Sequence, residues 1–356
     1  MASSARTSPL LFDAFPGLAE SVPWMPLAEV PTAVEPCHAI RDWLGRDGVF
    51  MKRDDLVSRL YGGNKVRRYE FVLADAKERG AKRIVTLGGL ASTQVMATAL
   101  FGRQLGFAVR VVLFDQPVTQ FAKDALLGFV TAGAELVYGG GYVMSALRTW
   151  QAMRGARGEN YLILPGAANP LANLGYVDAV LELSGQVERG ECPRPDVILL
   201  PTGSSGTLAA LALGCAQLGW DTEILGVRIT PALACNRVTI GFVMRATDRF
   251  LAARDPRWRR VSDRARYTLY GGALGRGYGY ATPEAEEGAE KLLALTGARG
   301  EVTYSGKALA ALHALATTPR YRDKTFLLWN TLSTPRPLPD ATARERLPKT
   351  LDWVFA

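Results

Sequence analysis

The chain has 356 residues, 48% hydrophobic and 21% charged; this is ordinary globular chemistry, core enough for about two domains, and it excludes intrinsic disorder and fibrous repeats. Lys and Arg outnumber Asp and Glu by 42 to 34, a formal charge of +8. The basic residues are dispersed except over 254–266, where Arg257, Arg259 and Arg260 flank Trp258, and that stretch reads as a solvated basic loop rather than a nucleic-acid patch. No apolar run approaches the ~18 residues of a membrane span. Residues 1–13 hold too short an apolar stretch for a signal peptide, so a cytoplasmic location is expected. Cys37, Cys192, Cys215 and Cys235 form no C-x-x-C pair and are expected to be reduced and packed; no metal is expected.

In chain order, Tyr69, Val72, Leu73 and Ala76 follow the i, i+3, i+4, i+7 spacing of a helix face, and Gly80 stands where a C-terminal cap belongs. Residues 84–87 read as a short buried strand. The unit repeats with Val95, Met96, Ala99 and Leu100 closed by Gly106 before a strand over 109–114, then with Leu126 and Val130 closed by Gly133 before 135–138. These glycines lie about 26 residues apart, the length of a βα unit with short connections. After a loop over 165–170, a helix through 180–183, a strand over 197–200, a helix over 208–218 and a strand over 224–229 continue the beat. Residues 231–270 lack periodicity until Tyr267 and are expected to form an insertion or covering segment. Helices over 285–295 and 309–315 and a strand over 326–329 follow. The pattern implies parallel sheets with helices on their faces. With no low-complexity linker, the expectation is two interleaved three-layer α/β domains around a cleft of the kind that holds small ligands. The expected division is 1–68 with 166–356 as the large domain and 69–165 as the small one.

Three local features could carry chemistry. The strand over 197–200 runs into Pro201-Thr202-Gly203-Ser204-Ser205-Gly206-Thr207 directly ahead of a helix. Backbone N–H groups at a helix N-terminus, uncluttered at the two glycines, make an anion site, and phosphate is the obvious anion. The loop has neither the Walker A lysine nor the dinucleotide glycine spacing; a plain strand-to-helix turn is the bland alternative. Gly62-Gly63-Asn64-Lys65 places a lysine between a flexible turn and an apolar helix. A lysine held at a hydrophobic surface can be neutral enough to form a Schiff base, although most lysines are simply solvated. Gly88-Gly89-Leu90-Ala91-Ser92-Thr93-Gln94 repeats the strand-to-helix design. Its hydroxyls are either plain N-caps or part of a cradle for a substrate carboxylate.

A phosphate cradle, a lysine and a second anion cradle match the needs of a pyridoxal 5′-phosphate (PLP) enzyme. The stretch Lys52-Arg53-Asp54-Asp55-Leu56 followed by Gly62-Gly63-Asn64-Lys65-Val66-Arg67 resembles the opening of the 1-aminocyclopropane-1-carboxylate (ACC) deaminase and D-cysteine desulfhydrase family, PLP enzymes of the tryptophan synthase β-subunit fold (fold type II). Pro31-Thr32-Ala33-Val34-Glu35-Pro36, Asn169-Pro170-Leu171, Leu174-Gly175-Tyr176-Val177, Gly277-Tyr278-Gly279 and Thr303-Tyr304-Ser305-Gly306-Lys307 resemble it in the same order, so the similarity runs over most of residues 25–335.

The resemblance implies that Lys65 binds PLP covalently, with Asn64 beside it, and that Gly203, Ser204, Ser205, Gly206 and Thr207 hold its phosphate. It implies that Ser92 assists proton transfer or binds the substrate carboxylate, and that Tyr278 and Tyr304 are active-site tyrosines. Thr93 joins the implied cofactor contacts, and Thr93 and Gln94 join the substrate contacts. Ser305 falls where a side chain faces the pyridine nitrogen; the family's deaminases carry a carboxylate there and its desulfhydrases a hydroxyl, so a serine favours β-elimination over cyclopropane opening. The chain departs from the family pattern at Ser92-Thr93-Gln94 (for Ser-Asn-His), at Gly166-Ala167-Ala168 (for Gly-Gly-Ser) and at Asn330-Thr331-Leu332-Ser333 (for His-Thr-Gly-Gly). His38 and His313 are the only histidines, and neither is placed as an acid or base.

The implied activity is a PLP-dependent lyase that releases a keto acid and ammonia from a small amino acid. Two alternatives stand beside it: β- or γ-replacement with the same cofactor, and a PLP- or ligand-binding protein without turnover. A homodimer is implied, with neither nucleic acid nor membrane as partner.

Overall fold

The structure is a computed structural model that describes residues 6–155, 158–335 and 337–356. The strands are β1 (Val34–Pro36), β2 (Val49–Lys52), β3 (Arg83–Gly89), β4 (Ala108–Phe114), β5 (Glu135–Gly140), β6 (Asn160–Ile163), β7 (Val197–Thr202), β8 (Glu223–Arg228), β9 (Tyr267–Tyr270) and β10 (Phe326–Trp329). The helices are α1 (Leu10–Ala14), α2 (His38–Leu44), α3 (Val66–Glu78), α4 (Thr93–Gln104), α5 (Gln120–Thr131), α6 (Tyr142–Ala152), α7 (Pro170–Glu188), α8 (Gly206–Gln217), α9 (Arg237–Ala252), α10 (Pro283–Thr296) and α11 (Ser305–Ala316). The chain forms two compact units, Met1–Val72 with Ala168–Thr334, and Leu73–Ala167 with Pro335–Ala356.

The first unit is built on a six-stranded sheet of order β1-β2-β10-β7-β8-β9, in which only β1 runs antiparallel to its neighbour. Every residue of β7 and β10 is buried, as expected of parallel strands covered on both faces. One apolar cluster packs Leu208, Leu211, Val180 and Ile240, from α7, α8 and α9, against Ile198 and Leu200. The other packs Leu309 and Leu312 of α11 and Ile40 of α2 against Leu199 and Leu328. The second unit has a parallel four-stranded sheet of order β5-β4-β3-β6. Gly80, Gly106 and Gly133 have φ of 69°, 83° and 81°, the left-handed conformation in which a glycine closes a helix.

Residues 231–270 differ from expectation, because a regular helix, α9, occupies 16 of them. Its buried positions are Ile240, Met244, Thr247, Asp248 and Leu251, a helical spacing hidden by two polar residues. Both are satisfied inside: Thr247 accepts from Asn173 at 2.8 Å, and Asp248 accepts from the Trp258 indole at 2.8 Å and the Ser262 N–H at 3.0 Å. The basic stretch is thus anchored by buried Trp258, with Arg257, Arg259 and Arg260 exposed. All four cysteines are buried and free. Among the described residues no helix is long and apolar enough to cross a membrane.

Candidate active site

Lys65 lies at the end of a turn that only glycines can make. A Cβ on Gly62 would fall 2.0 Å from the Asp55 carbonyl oxygen, and one on Gly63, whose φ is 84°, would fall 2.5 Å from that of Thr331. The 330–333 segment holds this turn in place: Gly62 N–H donates to Ser333 Oγ at 2.8 Å and Asn64 N–H to the Thr331 carbonyl at 3.1 Å. The departure from the family pattern at Ser333 therefore supplies an acceptor to the lysine turn.

The Lys65 side chain is buried, and its Nζ donates to Asn64 Oδ1 at 2.6 Å. Burial, reinforced by the Arg68 guanidinium, pushes its amine down to about 7, since a charged ammonium is disfavoured without solvent or an anion. Asn64 Nδ2 in turn donates to Thr207 Oγ1 at 3.3 Å, and the same oxygen accepts from Arg68 at 2.9 Å. Arg68 also donates to Asn173 Oδ1 at 3.2 Å, and burial lowers its guanidinium to about 10. Lys65, Asn64, Thr207, Arg68 and Asn173 thus form one hydrogen-bonded line.

Thr207 belongs to the loop between β7 and α8. Ser205 takes the left-handed φ of 68° at the N-cap without capping the helix itself, and its hydroxyl points to Cys235 Sγ at 3.6 Å. A Cβ on Gly206 would lie 2.7 Å from Asn173 Oδ1 and 2.8 Å from both terminal nitrogens of Arg68. A glycine here brings a cation up to the N-terminus of a twelve-residue helix. Helix N–H groups, the Thr207 hydroxyl and a guanidinium are the donors that a phosphate dianion requires, and a lysine with a depressed pKa is what its aldehyde requires, so the residues fit PLP. Arg68 and Asn173 were not legible as site residues; the only signal is the unusual Arg67-Arg68 pair opening an apolar helix.

A second cluster in this unit gathers at the N-terminus of α11. The Glu301 carboxylate accepts from the N–H groups of Thr303 (2.7 Å), Tyr304 (2.5 Å) and Ser305 (3.1 Å), while Glu301 N–H donates to Ser305 Oγ at 3.0 Å. Burial pushes the Glu301 carboxyl up. This reciprocal capping orients Ser305 and leaves Tyr304 beside it. The Tyr304 hydroxyl meets that of Tyr278 at 2.6 Å, with the two rings edge to face.

In the second unit, Ser92 is buried and is the N-cap of α4, its Oγ accepting from Val95 N–H at 3.3 Å. Thr93 follows as the first residue of α4 and is half-buried. The Gln94 amide ties neighbouring segments together: Nε2 donates to Thr86 Oγ1 at 2.8 Å and to the Leu164 carbonyl at 3.1 Å, and Oε1 accepts from Gly166 N–H.

Residues 25–331 match the family model described as pyridoxal-phosphate dependent enzyme. Over 311 residues, 85% of this chain and 90% of the relative, the sequence is 30% identical to the D-cysteine desulfhydrase of Serratia proteamaculans (strain 568). It is also 30% identical over 317 residues to that of Klebsiella pneumoniae (strain 342), covering 86% of this chain and 92% of the relative. Among solved structures, the ACC deaminase homologue matches with a TM-score of 0.76 and 26% identity over 93% of this chain and 96% of that one. The fungal L-serine ammonia-lyase from Rhizomucor miehei shares the fold at a TM-score of 0.61 and 15% identity, over 90% of this chain and 99% of that one. The fold is therefore that of the tryptophan synthase β-like PLP enzymes, and with the family model spanning the lysine turn, the glycine loop and both tyrosines, the chain belongs to the pyridoxal-phosphate dependent enzyme family.

Proposed function

We propose that this chain binds PLP through Lys65 and is a lyase that removes a leaving group from Cβ of a small amino acid, the unsaturated product then taking up one water to give a keto acid and ammonia. The observation that carries the reading is the line from Lys65 Nζ through Asn64 to Thr207 and Arg68, which joins a buried amine of lowered pKa to a phosphate cradle. When bound, PLP supplies an aldehyde that captures amines and a ring that accepts electron density from the substrate Cα.

The remaining roles belong to the chain's own groups. The N–H groups of Gly203, Ser204, Ser205, Gly206 and Thr207, with the Arg68 guanidinium, hold the phosphate. Lys65 Nζ, close to half unprotonated at neutral pH, is the base within the site that can take and return a proton. The Tyr278 and Tyr304 hydroxyls share one hydrogen bond and can pass a proton to a departing group. Ser305 is assigned to the place beside the ring nitrogen; its uncharged hydroxyl accepts from Glu301 N–H at 3.0 Å and donates to the Glu301 carbonyl at 3.4 Å, whereas a carboxylate there would hold the ring protonated, so the serine favours loss of a good leaving group such as sulfide. Ser92 and Thr93 are assigned to the substrate carboxylate. Gln94 supports them, because both ends of its amide are already engaged. A homodimer and a cytoplasmic location complete the proposal.

The test is the absorbance spectrum of the PLP-loaded protein beside Lys65→Ala, before and after D- and L-cysteine, serine derivatives and ACC. A visible band that needs Lys65 and shifts with D-cysteine, together with sulfide release, supports the lyase. A Lys65-dependent band that no amino acid perturbs would favour a binding protein without turnover, and absence of the band would remove the cofactor assignment.

A further inference from the structure

Between β9 and α10 the chain crosses residues 271–282 without a regular element. Three glycines with left-handed φ, Gly275 (61°), Gly277 (140°) and Gly279 (80°), surround Tyr278. The backbone hydrogen bonds inside the segment are long, 3.2 Å from Leu274 N–H to the Gly271 carbonyl and 3.4 Å from Tyr280 N–H to that of Gly277. The Arg276 guanidinium lies over the Tyr280 ring at 4.8 Å, but no helix or strand ladder runs through the segment to fix the backbone that carries the tyrosine.

The fixing group comes from α11. Lys307 is fully buried, yet its Nζ reaches out of the helix to donate to the carbonyls of Leu274 at 2.8 Å and Gly277 at 3.2 Å. The helix is a rigid base for that reach. A Cβ on Gly306 would sit 2.1 Å from the Ala285 carbonyl oxygen, and one on Gly288 would sit 2.4 Å from the Gly306 carbonyl oxygen, so α10 and α11 touch backbone to backbone. The same helix start carries Tyr304, three residues before Lys307. Lys307 therefore grips one side of the glycine-rich segment, while Tyr304 meets the Tyr278 hydroxyl at 2.6 Å. Burying an ammonium is costly unless its donors are satisfied; here the acceptors are two carbonyls of the segment that leads into Tyr278, and burial opposes the charge while the Glu301 carboxylate favours it.

We propose that Lys307 is a positioning residue that clamps the 274–277 segment to α11 and thereby sets the Tyr278 hydroxyl against Tyr304. The clamp is a statement about the fold; its effect on turnover rests on the role assigned to Tyr278 under the proposed function.

Arg276 is exposed within the segment and provides a readout that needs no turnover. In PLP-loaded protein, Lys307→Met is expected to speed tryptic cleavage after Arg276 at least tenfold, with cleavage after exposed Arg257 unchanged. With D-cysteine or another active substrate, kcat should fall at least tenfold with KM within about threefold. The Lys307→Met/Tyr278→Phe double variant should be no slower than Tyr278→Phe alone, because both changes remove the same contribution. Should Lys307→Met not fold, Lys307→Gln, which keeps one amide donor, is expected to give a smaller acceleration in the same direction. Unchanged cleavage after Arg276, or kcat losses that multiply in the double variant, would overturn the proposal. If wild type turns over no amino acid, the lyase reading fails while the cleavage measurement still decides the clamp.

Discussion

The Arg68 guanidinium meets Thr207 Oγ1 at 2.9 Å, and that oxygen also accepts from Asn64 at 3.3 Å. With both acceptor positions taken, the Thr207 hydroxyl keeps its proton for a further acceptor, the proposed phosphate. A charge-assisted hydrogen bond contributes about 1.5–3 kcal/mol. Arg68→Met should therefore weaken PLP binding by roughly 10- to 100-fold, read as the PLP concentration that half-saturates the Lys65-dependent absorbance. Equal affinity in wild type and variant would place Arg68 outside the phosphate site.

Lys65 should behave as an amine that titrates near pH 7. Burial and Arg68 push it down to about 7, against about 10.4 for a lysine in an unfolded chain. Between those values the native amine is neutral while the unfolded one holds a proton, so this group adds stability as pH rises across that window. PLP capture by the cofactor-free protein should rise with pH and level off above a midpoint near 7. A midpoint near 10 would contradict the buried site.

The charged cluster beneath the lysine turn should dominate the acid lability of the first unit. Arg67 donates to Asp54 at 2.9 Å and to Glu182 at 2.9 Å, and Lys52 to Glu182 at 2.6 Å; all four side chains are buried. Burial opposes the charge on Glu182, but Arg67 and Lys52 overcome it and hold the carboxyl well below the usual carboxylate range. Its contribution is complete above pH ~4.3, the unfolded value, and is lost as pH falls toward the folded one. Glu182→Gln leaves buried cations short of an anion and should cost about 3–5 kcal/mol, measured by urea unfolding at pH 7. The loss should shrink in acid.

Two backbone positions discriminate between the turn and the loop. Gly63→Ala, with its Cβ directed at the Thr331 carbonyl oxygen, should abolish Lys65-dependent PLP absorbance while far-ultraviolet circular dichroism stays native. Ser205→Gly should change stability by no more than about 1 kcal/mol, since it relieves a left-handed φ at the entropic cost of glycine, whereas Ser205→Val should cost more because a β-branched side chain is poorly tolerated there.

Local periodicity determined most of the scaffold. The spacing of Tyr69, Val72, Leu73 and Ala76 marks α3, the buried run at 197–200 marks β7, and Gly80, Gly106 and Gly133 close the helices expected of them. Each is set by neighbours within a turn or a strand, which a linear sequence records. The lysine turn and the glycine loop were legible for the same reason. Where polar residues occupy core positions the pattern disappears, and α9 was missed because Thr247 and Asp248 face inward toward Asn173 and Trp258. Only the tertiary structure decided that Arg68 reaches Thr207 across 139 residues, that Ser333 supports Gly62 across 271, and that Lys307 grips the turn before Tyr278. Burial and hydrogen-bond partners are properties of the assembled sheet and helices, and the depressed pKa of Lys65 arises first from that burial, with Arg68, three residues on, adding to it.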